Sequence, residues 1–424
     1  MQEVNYWLSK FTKKGVTLTA IKEPAASRPI VDIAPLSQIS VPLLSAGDDS
    51  LLSVVKINQT VLQGDLLGIA ELETKLPIYA PVSGVLAGFR EIQHPLLGNV
   101  SCAVLNCITS DSKYNNQKNQ SPANKTNDYI KLAQTMGIID ELDGIPLAKK
   151  LTQWKNIKSV CLIADAGEHE PYSSSAWSVL NESADKVEKG LELAALSIQA
   201  TSRHIAVMLP KKEIKKLKSI LNTDIIQLTG KYPAKSVFGA KNICRIGVQA
   251  CLALYYAVEH DRPPCSVVVT VAGDAVTNSQ NVRVPIGTLV DDVLRFCGLL
   301  SRPEHVIIGD AMTGITINRS DIPVIPGITC VIALKNCPRP PVHPCIGCGR
   351  CVSACHAGLL PYEIMRRLDN MQYERLASLL AEDCDGCGAC SYVCPSGLDV
   401  AAKVIEARDL NGNIFLKWGN GDDI

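Results

Sequence analysis

The sequence predicts a multidomain protein of mixed α/β and β parts, and three observations carry that reading. Residues 41–107 fall into short apolar runs parted by turn signals, the pattern of a β module. Residues 158–262 alternate strand-length apolar runs with stretches of helical periodicity, the pattern of a mainly parallel sheet with packed helices. Near the C-terminus, eight cysteines crowd into two matching clusters, which is metal-ligand spacing and not pairing arithmetic. With 424 residues there is enough chain for several separate cores. The predicted division is an N-terminal strap and β module over 1–108 and a polar linker over 109–127. An α/β layer over 128–262, a ββα-based unit over 263–335 and a cysteine-rich part over 336–424 complete it.

Composition excludes several classes of function. Lys plus Arg and Asp plus Glu are both 42, so the formal charge is zero and the footprint of a general nucleic-acid binder is missing. The longest apolar run, residues 251–258, is far short of the ~20 residues a membrane-spanning helix needs. The N-terminus lacks a basic segment followed by an apolar stretch and a small-residue cleavage site, which predicts a chain that is not secreted. Seventeen cysteines are an odd number and too sparse for a small disulfide scaffold, so a reducing cytoplasm is the expected setting.

Within the β module, the turns are Gln63-Gly64-Asp65 and Pro81-Val82-Ser83-Gly84. The stretch Glu73-Thr74-Lys75 with Ala80-Pro81-Val82-Ser83-Gly84 resembles the biotinyl/lipoyl barrel-sandwich family. Lys75 stands closer to the Ala80-Pro81 turn than a carrier lysine does, so the expectation is a module used for docking and not a modified carrier. Residues 109–127 are polar and nearly without large apolar side chains, as a linker is. Asp128 is a plausible N-cap for a helix carrying Ile130, Leu132 and Met136.

In the α/β layer, strands are expected over 158–164, 204–209 and 224–228. A single helix is expected over 177–197, with Val179, Leu180, Ala184, Val187, Leu191, Ala194 and Ala195 on one face. Further helices are expected over 211–221 and 246–259. The lysine-rich run 211–218 reads as a solvated helix face, and the second helix has few polar positions and should be buried. Residues 266–272 and 281–285 then read as paired strands around Gly273-Asp274, followed by a helix over 289–297 that ends at Gly298. That is a β-grasp-like element.

The cysteine motifs carry the chemistry. Cys345-x-x-Cys348-x-x-Cys351-x-x-x-Cys355 is repeated as Cys384-x-x-Cys387-x-x-Cys390-x-x-x-Cys394-Pro395. This is the bacterial two-cluster ferredoxin spacing, in which the fourth cysteine of each motif ligates the other cluster. Cys345, Cys348, Cys351 and Cys394 are therefore assigned to one [4Fe–4S] cluster, and Cys384, Cys387, Cys390 and Cys355 to the other. Structural zinc is the rival, but zinc sites take two spaced pairs, not tandem triplets. Gly347, Gly349, Gly386 and Gly388 let the backbone approach and aim N–H groups at sulfur. His356 stands where the first motif usually has proline, either as a turn residue or as a polar contact that tunes the potential. Between the motifs, residues 361–381 read as a helical insert with apolar residues at Ile364, Leu368, Met371, Leu376 and Leu380. The nine other cysteines share no spacing and read as core.

Taken in order, these parts resemble the C subunit of Rnf-type electron-transport complexes, the RnfC family, over nearly the whole chain. Phe11, Gly15-Val16 and Lys22 look like its strap. Leu36-Ser37-Gln38, Pro42-Leu43 and Gly64-Asp65 look like its barrel module, and Glu168-His169-Glu170-Pro171-Tyr172 is similar to its Glu-Cys-Glu-Pro-Tyr segment. Residues 269–276 with 284–288 look like its soluble-ligand-binding β-grasp element. Residues 308–314 match a Gly-Gly-Pro-Met-Met-Gly turn in part, and Pro344-Cys345 opens the cluster region.

The resemblance further implies a layer similar to the NADH- and FMN-binding subunit of respiratory complex I. There, a glycine-rich loop cradles the flavin phosphate with backbone N–H groups. Here the matching residues are Asp140-Glu141-Leu142-Asp143-Gly144-Ile145-Pro146, and the family's Tyr-Pro-Ala-Gly-Gly-Glu-Lys is eroded to Tyr232-Pro233-Ala234-Lys235-Ser236-Val237-Phe238. Leu142 and Ile145 are expected to block the cradle and the three carboxylates to repel a phosphate, which puts FMN and NADH in doubt. Any residual nucleotide contact would fall to Gly144, Glu168 and Glu170, with the two glutamates otherwise structural.

What the resemblance implies is an electron-transfer subunit, cytoplasmic and peripheral on the inner face of the membrane. Its partners would be Rnf-like membrane subunits or other electron-transfer proteins, with no nucleic acid. The alternative is a soluble relay dedicated to a catabolic reductase, such as an amino-acid reductase or a corrinoid-reactivating system.

Overall fold

The computed structural model describes residues 14–33, 36–46, 52–71, 75–108, 128–233, 242–338 and 341–411. The expected linker, Phe11, Glu73-Thr74 and residues 234–238 lie outside them.

The β module is two sheets closed on one another. Gln38–Ala46, Gly98–Cys107, Gly84–His94 and Thr60–Val61 form one antiparallel sheet, and Leu52–Ser53, Leu66–Glu71 and Lys75–Tyr79 the other. Their inward faces bury Ile39, Val41, Leu43, Leu67, Leu86 and Leu105, the alternation that a half-buried strand requires. Lys75 opens its strand, exposed and opposite Glu71. At the far end of the Gly84–His94 strand, His94 is 1% exposed and reaches the next unit. Its Nε2 lies 3.2 Å from the Pro323 carbonyl, and the Leu96 N–H donates to its Nδ1 at 3.1 Å.

The α/β layer is a parallel sheet of Ile225–Gln227, Ser202–Val207, Cys161–Ala166 and Ile243–Gly247, in that order. The sheet grows in one direction for three strands and then reverses, which puts its topological switch point between Cys161–Ala166 and Ile243–Gly247. Two expectations are corrected here. The helix over 177–197 is two helices, Ser175–Glu182 and Ala184–Ser197, because Ser183 leaves helical geometry (φ −137°, ψ 41°). Ile246 belongs to a strand, and the helix runs Val248–His260. Apolar runs shared by a strand and the following helix cannot be divided by periodicity alone.

The β-grasp-like element is larger than its sequence suggests. Ser266–Ala272 and Gln280–Pro285 pair antiparallel, with the helix Val290–Phe296 packed nearby. The sheet continues through Cys330–Leu334, His305–Ile308 and Ile315–Ile317. Val31–Asp32 of the strap adds a parallel edge strand. The extra strands are too short for alternation to announce them.

The cysteine-rich part packs Arg350–Ala354 and Ala389–Tyr392, Pro361–Asp369, Tyr373–Leu376 and Val400–Asn411 around Ile364, Leu368, Leu376, Val400 and Val404. The insert departs from one continuous helix. It ends at Asp369, and Met371 (φ +53°) and Leu380 (φ +51°) are exposed turn residues, not core.

Candidate metal centre and adjoining cleft

Each cysteine motif runs through a turn into a short helix, and each helix begins directly after a left-handed glycine. Gly349 (φ +71°) precedes Arg350–Ala354, and Gly388 (φ +75°) precedes Ala389–Tyr392. That geometry curls the chain back so that thiols three residues apart face one volume. Cys345, Cys348, Cys351 and Cys394 line one cavity of ≈ 380 Å³. Cys355, Cys384, Cys387 and Cys390 line another of ≈ 370 Å³. The rest of each lining is largely apolar, with Met365, Leu398 and Val400 in the first and Leu359, Ala401 and Val404 in the second. Four soft thiols around a largely apolar cavity suit an iron–sulfur cubane, and the Gly386 N–H points at the Cys384 sulfur, 3.4 Å away.

His356 reaches across to the other motif. Its Nε2 is 3.0 Å from Asp385 Oδ2, while Asp385 Oδ1 accepts the Cys387 N–H at 3.1 Å. Tyr232 connects this loop to the α/β layer: its backbone pairs with Val16 of the strap, and its hydroxyl donates to the Cys387 carbonyl at 2.8 Å. The Asp385 partner of His356 and the Cys387 partner of the Tyr232 hydroxyl could not be placed from sequence, since they lie 29 and 155 residues away.

Tyr232 and Asp385 also face an open cleft of ≈ 1510 Å³. It lies at the carboxyl ends of the parallel strands, over the switch point, where α/β sheets hold ligands. Buried Asp165 and half-buried Arg245, from the two switch-point strands, form an ion pair across its floor. Burial would raise the Asp165 carboxyl, but the guanidinium overrides this and holds it below the usual range.

The residues matched to the flavin loop are committed to the protein itself. Asp140 accepts the Gly247 N–H (2.9 Å) and the Leu142 N–H (3.1 Å). Glu141 accepts the N–H groups of Gln249 (2.6 Å) and Ala250 (2.9 Å), at the start of the helix Val248–His260. A helix N-terminus is an anion site, and here a glutamate fills it. Burial and the neighbouring Asp140 push the Glu141 carboxyl above its usual range, and the N–H groups it accepts oppose that rise. Lys150, invisible to motif reasoning, contacts Asp140 and Asp143, each at 2.5 Å. The repulsion expected from three free carboxylates is therefore reduced, and occupancy of the donors takes its place. Gly144 (φ +72°) closes this turn through its N–H to the Asp140 carbonyl, 2.8 Å.

Glu168 accepts the Ala176 and Trp177 N–H groups at 2.9 and 3.3 Å, so it caps the helix Ser175–Glu182 from a distance. Glu170 accepts the Met312 N–H at 2.8 Å and the Thr313 N–H at 3.2 Å. Asp310 in turn accepts from Tyr172 and Ser173, which locks the 168–173 and 310–313 loops together. Strap residue Lys22 donates to the Glu170 carbonyl at 2.9 Å.

Comparison with known proteins agrees with this assembly. Residues 10–113 match the RnfC barrel sandwich hybrid domain, 268–316 the SLBB domain and 344–398 the 4Fe-4S dicluster domain. The C subunit of a proton-translocating ferredoxin:NAD(+) oxidoreductase complex from Clostridium ljungdahlii is 27% identical, over 83% of this chain and 83% of its own length. The C subunit of an ion-translocating oxidoreductase complex from Yersinia pestis is 30% identical over 78% of this chain, which spans 58% of that protein. A solved NAD+-reducing [NiFe]-hydrogenase gives a loose overlap, with TM-score 0.44 and 15% identity over 70% of this chain and 63% of that one. With its barrel-sandwich, SLBB and dicluster domains in that order, the chain is an RnfC-like protein.

Proposed function

We propose that this chain is the electron-transfer subunit of an Rnf-like ion-translocating electron-transport complex. In this reading Cys345, Cys348, Cys351 and Cys394 hold one [4Fe–4S] cluster, and Cys384, Cys387, Cys390 and Cys355 the other. One observation carries it: each of two cavities gathers four thiols, three from one motif and the fourth from the other. When bound, such clusters supply one-electron storage and release. The chain's own work is to fix the thiols, exclude water from part of each cavity and present one motif at the surface and the other at the cleft.

The partners are membrane subunits of the complex or other electron-transfer proteins, and the relatives' descriptions as subunits of such complexes support this. Among the described residues no helix is long and apolar enough to cross a membrane, which is compatible with a peripheral position on its cytoplasmic face. FMN does not fit the loop 140–146 as a phosphate cradle, because Asp140 and Glu141 already occupy the backbone donors there. Electrons are therefore taken from a partner and not from NADH.

Anaerobic purification with metal and acid-labile sulfide analysis tests the proposal. About eight iron and eight sulfide per chain are expected, and stoichiometric zinc without iron would overturn it.

A further inference from the structure

The two cysteine cavities have matched thiol sets but unlike surroundings. The first is at the surface. Cys345 and Cys348 are exposed, Ile346 between them is 70% exposed, and the exposed cation Arg350 stands on the lining. No carboxylate lines it among the described residues. The second is turned inward: Cys390 is buried and the other three thiols are half-buried. Asp385 and His356 stand on its lining, and Asp385 and Tyr232 link it to the cleft. Arg408 donates to the Cys384 carbonyl at 3.0 Å, but its charge is met by Asp409, also at 3.0 Å.

Reduction adds one negative charge to a cluster site. A carboxylate beside the site opposes that charge, whereas a guanidinium and solvent water favour it, so both act on the reduction potential. We infer that Asp385 and Arg350 order the two sites, holding the inner one at low potential and the outer one at high potential, so that electrons run from the cleft to the exposed Cys345–Arg350 loop. The order does not depend on the proton of His356. The Asp385–His356 pair carries a charge of −1 or 0, and either value lies below the +1 of Arg350. The transfer is a single electron, with no bond made or broken. A low-potential one-electron carrier supplies it at the cleft, and a one-electron acceptor protein docked on the exposed loop receives it. Asp385 and Arg350 act here as tuning residues, not ligands. The inference rests on the two-cluster reading above.

The test is an anaerobic redox titration followed by electron paramagnetic resonance, on the full chain and on Asp385→Asn and Arg350→Gln. Asparagine keeps an oxygen for the Cys387 N–H, and Arg350 is exposed, so both variants retain their packing. Two separate midpoints are expected. Asp385→Asn should raise the lower one alone, and Arg350→Gln should lower the higher one alone. Each should change the reduced-to-oxidised ratio at fixed potential by about tenfold, which is ~59 mV for one electron. If Asp385→Asn moves the higher midpoint, or neither variant moves either, the ordering is overturned while the clusters stand. A chain that binds no iron would instead remove the two-cluster reading, and this inference with it.

Discussion

Cys394 shares a cavity with three cysteines that lie more than 40 positions earlier in the chain, not with its own motif. Serine there removes a soft thiolate and leaves a hard, poorly ionised hydroxyl. Cys394→Ser is expected to damage the cluster held by Cys345, Cys348 and Cys351 and to spare the other, read as loss of one paramagnetic signal and a lowered iron count. Loss of the signal belonging to Cys384, Cys387 and Cys390 would reverse the pairing. A second side chain acts on stability. His94 is buried, and burial drives it down to about 4 although the Pro323 carbonyl opposes this. The folded state therefore binds fewer protons than the unfolded one between pH ~6.5 and ~4, so stability falls as pH drops through that window. The full loss is on the order of 3 kcal/mol. His94→Gln should show a flatter fall in thermal midpoint between pH 7 and pH 4 than the parent chain, and equal slopes would refute the assignment.

At the scale of elements, the two motif turns look alike in sequence but differ in what they touch. A Cβ on Gly349 would meet nothing within 4 Å, whereas one on Gly388 would lie 2.7 Å from the Met312 carbonyl oxygen. Both glycines have positive φ, so alanine costs about 1–2 kcal/mol of backbone strain at either. Only Gly388→Ala adds a clash with backbone that cannot swing aside. It should lower the thermal midpoint more than Gly349→Ala and speed proteolysis between the β-grasp element and the cysteine-rich part; equal effects would remove the docking role of this turn. The sequence made the turns, the thiol grouping and the parallel sheet legible, because cysteine spacing and apolar runs are local signals. It could not show that Glu141 and Glu168 end as helix caps, since their donors lie 108 and 8 residues away and no motif links them. Nor could it divide the run around residue 246 between strand and helix, where both uses demand the same apolar side chains.

Across the whole molecule, the β module, the α/β layer, the β-grasp element and the cysteine-rich part meet around one cleft at the sheet's switch point. That position was legible only through resemblance, and its contents were not. Lys150 balances Asp140 and Asp143, carboxylates that read as bare charge in the sequence. The expectation about flavin therefore changes its physical basis. Opposed charge is weaker than three free carboxylates imply, while competition for donors is stronger, because the N–H groups of residues 247, 249 and 250 are already satisfied within the fold. A phosphate entering there must displace a buried carboxylate and leave it without partners, at a cost of about 1–3 kcal/mol for each hydrogen bond lost. Two such losses weaken binding by roughly a hundredfold or more. The purified chain is expected to carry no FMN, and NADH alone should leave its visible absorbance unchanged while a low-potential protein or chemical donor bleaches it. Stoichiometric FMN after purification, or rapid bleaching by NADH without partners, would show that Glu141 yields its place at the helix and that the cleft takes electrons from nucleotide.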